Sequence, residues 1–160
     1  MLKVLFICHG NICRSPIAEF ILKTKVAKLG IADQFYIASA ATSTEEIWNG
    51  IGNPVYPPAK AELAKHGISC EGKRAVQLKK SDYEDYDYLI GMDDRNIHNM
   101  ERITGHKGGK IHLLLSFDGS YKNVADPWYT GRFDVTYKDI EKGCDAFLDY
   151  LRDNRLIEGA

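Results

Sequence analysis

An α/β fold of one domain, a four-stranded parallel sheet with helices on both faces in three layers, is expected on three grounds. Short β-branched runs alternate with longer stretches at helical spacing, which implies parallel strands joined by right-handed crossovers. With 160 residues, 44% of them hydrophobic, the chain has the apolar content to bury a single core. The residues that carry chemistry follow the first apolar run, at the carboxyl end of a strand, where open parallel sheets place their active loops.

The elements follow in order. Val4-Leu5-Phe6-Ile7 anchors a first strand over residues 2–7. Ser15-Pro16 then reads as a helix N-cap followed by a residue preorganised for the first turn, opening a helix over 16–29 that Gly30 ends. Residues 35–38 form a second strand, and 58–66 a helix closed by Gly67. Residues 88–92 and 111–115 read as further strands separated by a helix over roughly 95–104. The irregular stretch 116–133 is long enough to return over the first strand's end. In the last helix Tyr137, Ile140, Cys144, Phe147, Leu148 and Leu151 recur at helical spacing as one apolar stripe, with Cys144 in the core.

The loop Cys8-His9-Gly10-Asn11-Ile12-Cys13-Arg14-Ser15 lies between that strand end and a helix start, where free backbone N–H groups and the helix dipole favour an anion and stabilise a thiolate. Free cysteine titrates near roughly 8.5 and such sites bring it to roughly 3.5 to 7.5, so Cys8 is a candidate nucleophile. Five residues separate it from Arg14, whose planar fork can take two oxygens of a tetrahedral anion held by the loop. Gly10 and Asn11 tolerate the backbone conformations that turn amides inward. Taken alone, a cysteine ending a buried strand is usually just a small apolar residue. The spacing leaves phosphate binder, redox site and enzyme all open.

Several classes are excluded. A nucleoside-triphosphate loop needs G-x-x-x-x-G-K-[ST], whereas this segment has one glycine and no lysine. Metal binding is not expected, since four residues lie between Cys8 and Cys13, no C-x-x-C occurs, and Cys70 and Cys144 stand alone. No cofactor is called for. With 21 basic and 22 acidic residues there is no polyelectrolyte character for nucleic acid or membrane surfaces. Neither a secretory signal nor a membrane-spanning stretch is visible, and four scattered cysteines suit a reducing cytoplasm. A monomer with at most weak self-association is expected.

CHGNICRS from Cys8 to Ser15, together with Asp126-Pro127-Trp128-Tyr129, resembles the low-molecular-weight protein tyrosine phosphatases, whose signature is C-x5-R-S near the N-terminus with a distant Asp-Pro. Ser39-Ala40-Ala41-Thr42, Gly52-Asn53-Pro54, His66-Gly67-Ile68 and Tyr88-Leu89-Ile90-Gly91-Met92-Asp93 are similar to family segments in family order, so the resemblance spans nearly the whole chain. It implies a flavodoxin-like sandwich over residues 1–160 and a metal-independent hydrolase of phosphotyrosine proteins. By the same resemblance Cys8 is the nucleophile, Arg14 binds phosphate, and Asp126 is general acid and then general base. His9, Gly10, Asn11, Ile12, Cys13, Arg14 and Ser15 line the phosphate cradle. Ser15 hydrogen-bonds the nucleophilic sulfur, in competition with its N-cap role, and Asn11 braces the loop through Ser39. Some family members add a histidine after His-Gly-Ile, where this chain has Cys70-Glu71-Gly72-Lys73-Arg74 and offers none.

The resemblance also places Trp48, Trp128 and Tyr129 around the entrance, where rings stack on a phenyl group. Rival activities on the same fold are arsenate reductase, which needs a resolving cysteine pair that Cys70 and Cys144 do not make, and protein arginine phosphatase, in which a threonine tends to stand at the position of Ile12. A non-catalytic phosphate-binding or redox module would tolerate loss of Cys8, Arg14 or Asp126, all of which are present. Family members with a second loop cysteine can protect the nucleophile as a reversible disulfide, which makes Cys13 a candidate redox partner of Cys8.

Overall fold

The computed structural model describes residues 1–159. Its main sheet has the order β2-β1-β5-β6 and is parallel throughout. The strands are β1 (Leu2–Cys8), β2 (Phe35–Ala41), β5 (Tyr88–Gly91) and β6 (Ile111–Leu113). A separate antiparallel hairpin joins β3 (Ile47–Trp48) to β4 (Ile51–Gly52). The helices are α1 (Arg14–Lys28), α2 (Pro57–Lys65), α3 (Asp82–Asp85), α4 (Asp94–Thr104), α5 (Pro127–Thr130) and α6 (Phe133–Asp153).

Alternation along β1 divides the core in two. Val4, Phe6 and Cys8 join the cluster built from α1, α2 and α6, with Ile17, Ile21, Leu63, Cys144 and Phe147. Leu5 and Ile7 face the other side, against Leu89, Met100 of α4 and Ile111. Both faces of β1 are covered, which is why its sequence is a continuous apolar run rather than an alternating one. The stripe read on the last helix is the buried face of α6: Tyr137, Ile140, Cys144, Phe147, Leu148 and Leu151 are all buried.

β1 pairs with β2 on one side and β5 on the other, so the chain reverses its direction of travel across the sheet at β1. That reversal opens a crevice beyond the carboxyl end of β1, the standard ligand position in such sheets. The loop from Cys8 lies in it.

The structure corrects three local readings. Ser15 is not the N-cap of α1: the helix begins at Arg14 with Cys13 as cap, and the Ile17 N–H already bonds the Cys13 carbonyl at 3.1 Å. The Ser15 hydroxyl is used elsewhere, as described below. The strand expected over 111–115 ends at Leu113, and Leu114–Ser116 turns as a 3-10 helix. The stretch 116–133 is not wholly irregular: Asp126 caps α5, its carboxylate accepting the Trp128 N–H at 3.0 Å.

Candidate active site

Cys8 ends β1 with its sulfur turned back toward the start of α1. The Asn11 N–H points at Sγ at 3.3 Å, the Ser15 N–H at 3.4 Å, and the Ser15 hydroxyl lies at 3.0 Å. No side chain caps α1, so the sulfur occupies the place where a capping oxygen ordinarily sits.

Asn11 holds this arrangement. Its φ of 58° is left-handed, a conformation asparagine adopts more readily than most residues. Its buried amide donates to Ser15 Oγ at 2.8 Å and to Ser39 Oγ at 2.9 Å, and its Oδ1 accepts the Val76 N–H at 3.0 Å. The loop is thereby tied to β2 and to the segment beyond α2.

Arg14, the first residue of α1, is 3% exposed. Nη1 donates to Asp93 Oδ2 at 2.6 Å and to the Val124 carbonyl at 2.9 Å, while Nη2 lies 3.6 Å from Asp126 Oδ2. Burial works against the charge, but Cys8, Asp93 and Asp126 together raise the guanidinium above its ordinary value, so it stays protonated. Asp93 is itself the N-cap of α4, in a reciprocal pair with Asn96. The Asp126 segment is pinned by the Val124 N–H on the Met92 carbonyl at 2.9 Å and by the Thr136 hydroxyl on the Ala125 carbonyl at 3.1 Å.

These groups converge on a pocket of about 360 Å³ lined by Cys8, His9, Gly10, Ile12, Cys13, Arg14, Glu45, Glu46, Arg95, Asp126, Trp128 and Tyr129. A groove of about 520 Å³ along α6 is roomier, but Asp118, Asp145, Asp149 and Asp153 line it and it holds no thiol. Burial first, with Cys8 and Asp126 adding to it, pushes the Cys13 thiol up to about 12, so at neutral pH Cys13 is protonated beside Cys8.

Every residue expected at the cradle reaches this pocket except Asn11 and Ser15, which lie behind it and support the sulfur. Trp128 and Tyr129 stand at the rim, Trp128 tilted against Tyr56 at 4.8 Å. Trp48 is not in the wall. It is 79% exposed on the β3–β4 hairpin, whose Asn49-Gly50 turn uses positive φ at both residues. Alternation then packs Ile47 against the core and sends Trp48 outward, and the wall receives Glu45 and Glu46 instead. The side of that hairpin packed on the segment beyond α2 allows no side chain at Gly52, where a Cβ would stand 1.8 Å from the Ala75 carbonyl oxygen.

Four contributors have no counterpart among the expected site residues: Asp93 and the Val124 carbonyl on Arg14, and Glu19 and Lys73 on Ser39. A local signal existed only for Asp93, as the acid of an Asp-x-x-Asn cap following a buried strand. Arg95 and the two glutamates of the wall carry no motif at all.

Residues 3–156 match the family described as low molecular weight phosphotyrosine protein phosphatase. The chain is 38% identical over 160 residues to the low molecular weight protein-tyrosine-phosphatase YfkJ of Bacillus subtilis, covering 98% of this chain and all of that protein. The crystal structure of YfkJ superposes with a TM-score of 0.88 at 37% identity, covering 96% of each chain. A Drosophila arginine phosphatase shares the fold at 31% identity and a TM-score of 0.82, over 93% of this chain and 97% of its own. The chain belongs to the low molecular weight phosphotyrosine protein phosphatase family.

Proposed function

We propose that this chain hydrolyses phosphotyrosine on protein substrates through a cysteinyl-phosphate intermediate. The observation that carries the reading is the meeting, in one small pocket, of a sulfur facing two backbone N–H donors and a serine hydroxyl, a buried arginine and a carboxylate. In the first step the Cys8 thiolate attacks phosphorus, Arg14 holds equatorial oxygens, and Asp126 gives its proton to the departing phenolate oxygen. In the second, Asp126 as carboxylate takes a proton from water as its oxygen attacks the phosphorus, and the sulfur leaves as thiolate. Ser15 stabilises that leaving sulfur by donating its hydroxyl proton. No step calls for a metal ion.

Preference for an aryl ester is supported by the apolar Ile12 in the wall and by the rings of Trp128 and Tyr129 at the entrance. The four free, buried cysteines suit a reducing cytoplasm, where we place the protein. The test is hydrolysis of p-nitrophenyl phosphate with a chelator present, by wild type, Cys8→Ser and Asp126→Ala, followed by phosphotyrosine and phosphoarginine peptides compared side by side. Activity surviving in Cys8→Ser overturns the mechanism. Faster turnover of the phosphoarginine peptide overturns the substrate.

A further inference from the structure

The mouth of the pocket carries opposite charges on its two flanks. Sheet order places them there: β2 and β5 are the two neighbours of β1, so the segment that follows β2 and the start of α4 after β5 lie on either side of the β1 loop. The first supplies Glu45 and Glu46, the second Arg95, and all three line the pocket. None has a part in the chemistry set out above.

Each charge is held in place, yet two of the three lack a charged partner. Glu46 is half-buried, with its stem against Gly10, where a Cβ would stand 3.2 Å from Glu46 Cγ. Among the described residues its carboxylate bonds only the Asn53 side-chain amide, at 3.0 Å. Glu45 is taken by His9 Nε2 at 3.0 Å. Arg95 is exposed in the first turn of α4 and enters no ion pair among the described residues. Local stability explains neither flank. A cation in a helix's first turn works against the dipole, and neighbouring carboxylates repel each other.

Two carboxylates at the mouth also repel any phosphate ester that arrives without a positive charge of its own. A substrate with a basic residue beside its phosphotyrosine turns that repulsion into attraction, and Arg95 offers the reverse to an acidic residue on the other flank. In an extended peptide the side chains two residues to either side of the phosphotyrosine face the same surface, roughly 7 Å along the chain. Lysine and glutamate side chains at those positions reach the rim. We propose that the mouth reads the charge polarity of its substrate: Glu46 takes a basic residue on one side of the phosphotyrosine, and Arg95 takes an acidic residue on the other. The role rests on phosphotyrosine entering this pocket. With Trp48 turned outward, selection on the Glu46 flank is by charge and not by stacking.

The experiment compares two phosphotyrosine peptides of identical composition, one with two lysines before the phosphotyrosine and two glutamates after it, the other with that order reversed. Net charge is the same in both, so only polarity differs. Wild type is expected to turn one over about tenfold faster than the other in kcat/KM, because both rim pairs attract in one peptide and repel in the other. Raising sodium chloride to ~0.5 M shrinks that ratio. Arg95→Glu gives both flanks one sign and is expected to bring the ratio close to one, and Glu46→Lys/Arg95→Glu is expected to invert it. The readout is a ratio within one protein, so a general loss of activity cancels. Equal turnover of the two peptides by wild type overturns the proposal, as does hydrolysis of p-nitrophenyl phosphate but of neither peptide. So does a ratio unmoved by Arg95→Glu, a test that stands even where the double variant fails to fold, or a preference that keeps its direction in a folded double variant. Wild type that hydrolyses neither the peptides nor p-nitrophenyl phosphate overturns the phosphatase reading itself. Polarity is then judged from the affinities of the two peptides by fluorescence anisotropy: unequal affinities that Arg95→Glu brings together support it, and equal affinities overturn it.

Discussion

The floor and the rim of the pocket are built on opposite terms. Cys8, Asn11, Arg14 and Ser15 are each at most 3% exposed, and each is held by at least two polar contacts. Trp128 and Tyr129, by contrast, are 55% and 86% exposed, and Trp48 beyond them 79%. On the floor every group is over-determined, so its geometry is present before a substrate arrives, which is what stabilisation of a transition state demands. On the rim the rings pay no such constraint and settle against whatever they meet. On the proposed mechanism the chemistry lies with the buried side chains, and discrimination between substrates is left to the exposed ones.

Cys8→Ser gives the largest expected effect and is the sharpest test of the floor: turnover of p-nitrophenyl phosphate falls to background while the far-ultraviolet circular dichroism is unchanged. Asp126→Ala comes next, with kcat lower by roughly 100 to 10,000-fold, as for a lost general acid. The loss is smaller for a substrate whose leaving group needs no proton. Asn11→Ala is expected to cost about 1–3 kcal/mol of stability, seen as a lower urea midpoint, because Ser15, Ser39 and the Val76 N–H lose their partner, and kcat falls with it. At the rim, Tyr129→Ala is expected to raise KM for a phosphotyrosine peptide about two- to tenfold with kcat unchanged, the loss of one stacking contact. Trp48→Ala has the smallest effect, visible with a long peptide and absent with p-nitrophenyl phosphate. An equal rise in KM for both substrates would move Trp48 into the wall and erase the boundary drawn between the hairpin and the pocket.

The same division decides what the sequence could tell. Cys8, Arg14 and the loop between them are contiguous, so spacing alone marks the loop as a candidate site without choosing among binder, redox site and enzyme, and Asp126 is legible through the resemblance that its Asp-Pro pair carries. The alternating strands and helices were legible because both faces of β1 are buried and α6 keeps one continuous apolar stripe. Of the two roles open to Ser15, the cap follows from Ser-Pro as a local signal at a helix start, whereas the Cys8 sulfur it meets, seven residues back, is legible only through the resemblance. Asp93 meets Arg14 across 79 positions, and Lys73 meets Ser39 across 34, with no periodicity to link them. Trp48 was misplaced by the hairpin: a shift of one residue along a strand reverses the side a ring faces.

In the proposed mechanism Arg14 meets the substrate with its charge already partnered. Asp93 sits 2.6 Å from one end of the guanidinium and Asp126 3.6 Å from the other, with the Cys8 sulfur close by. One cation therefore faces two carboxylates and a sulfur, and a phosphate dianion added beside those carboxylates would bring further like-charge repulsion. The mechanism proposed above needs a proton on Asp126 when the ester is bound, so binding and arming the acid are expected to occur together. Calorimetric titration of inorganic phosphate into the protein, repeated in buffers of different ionisation enthalpy, is expected to register net proton uptake, and the uptake disappears in Asp126→Asn.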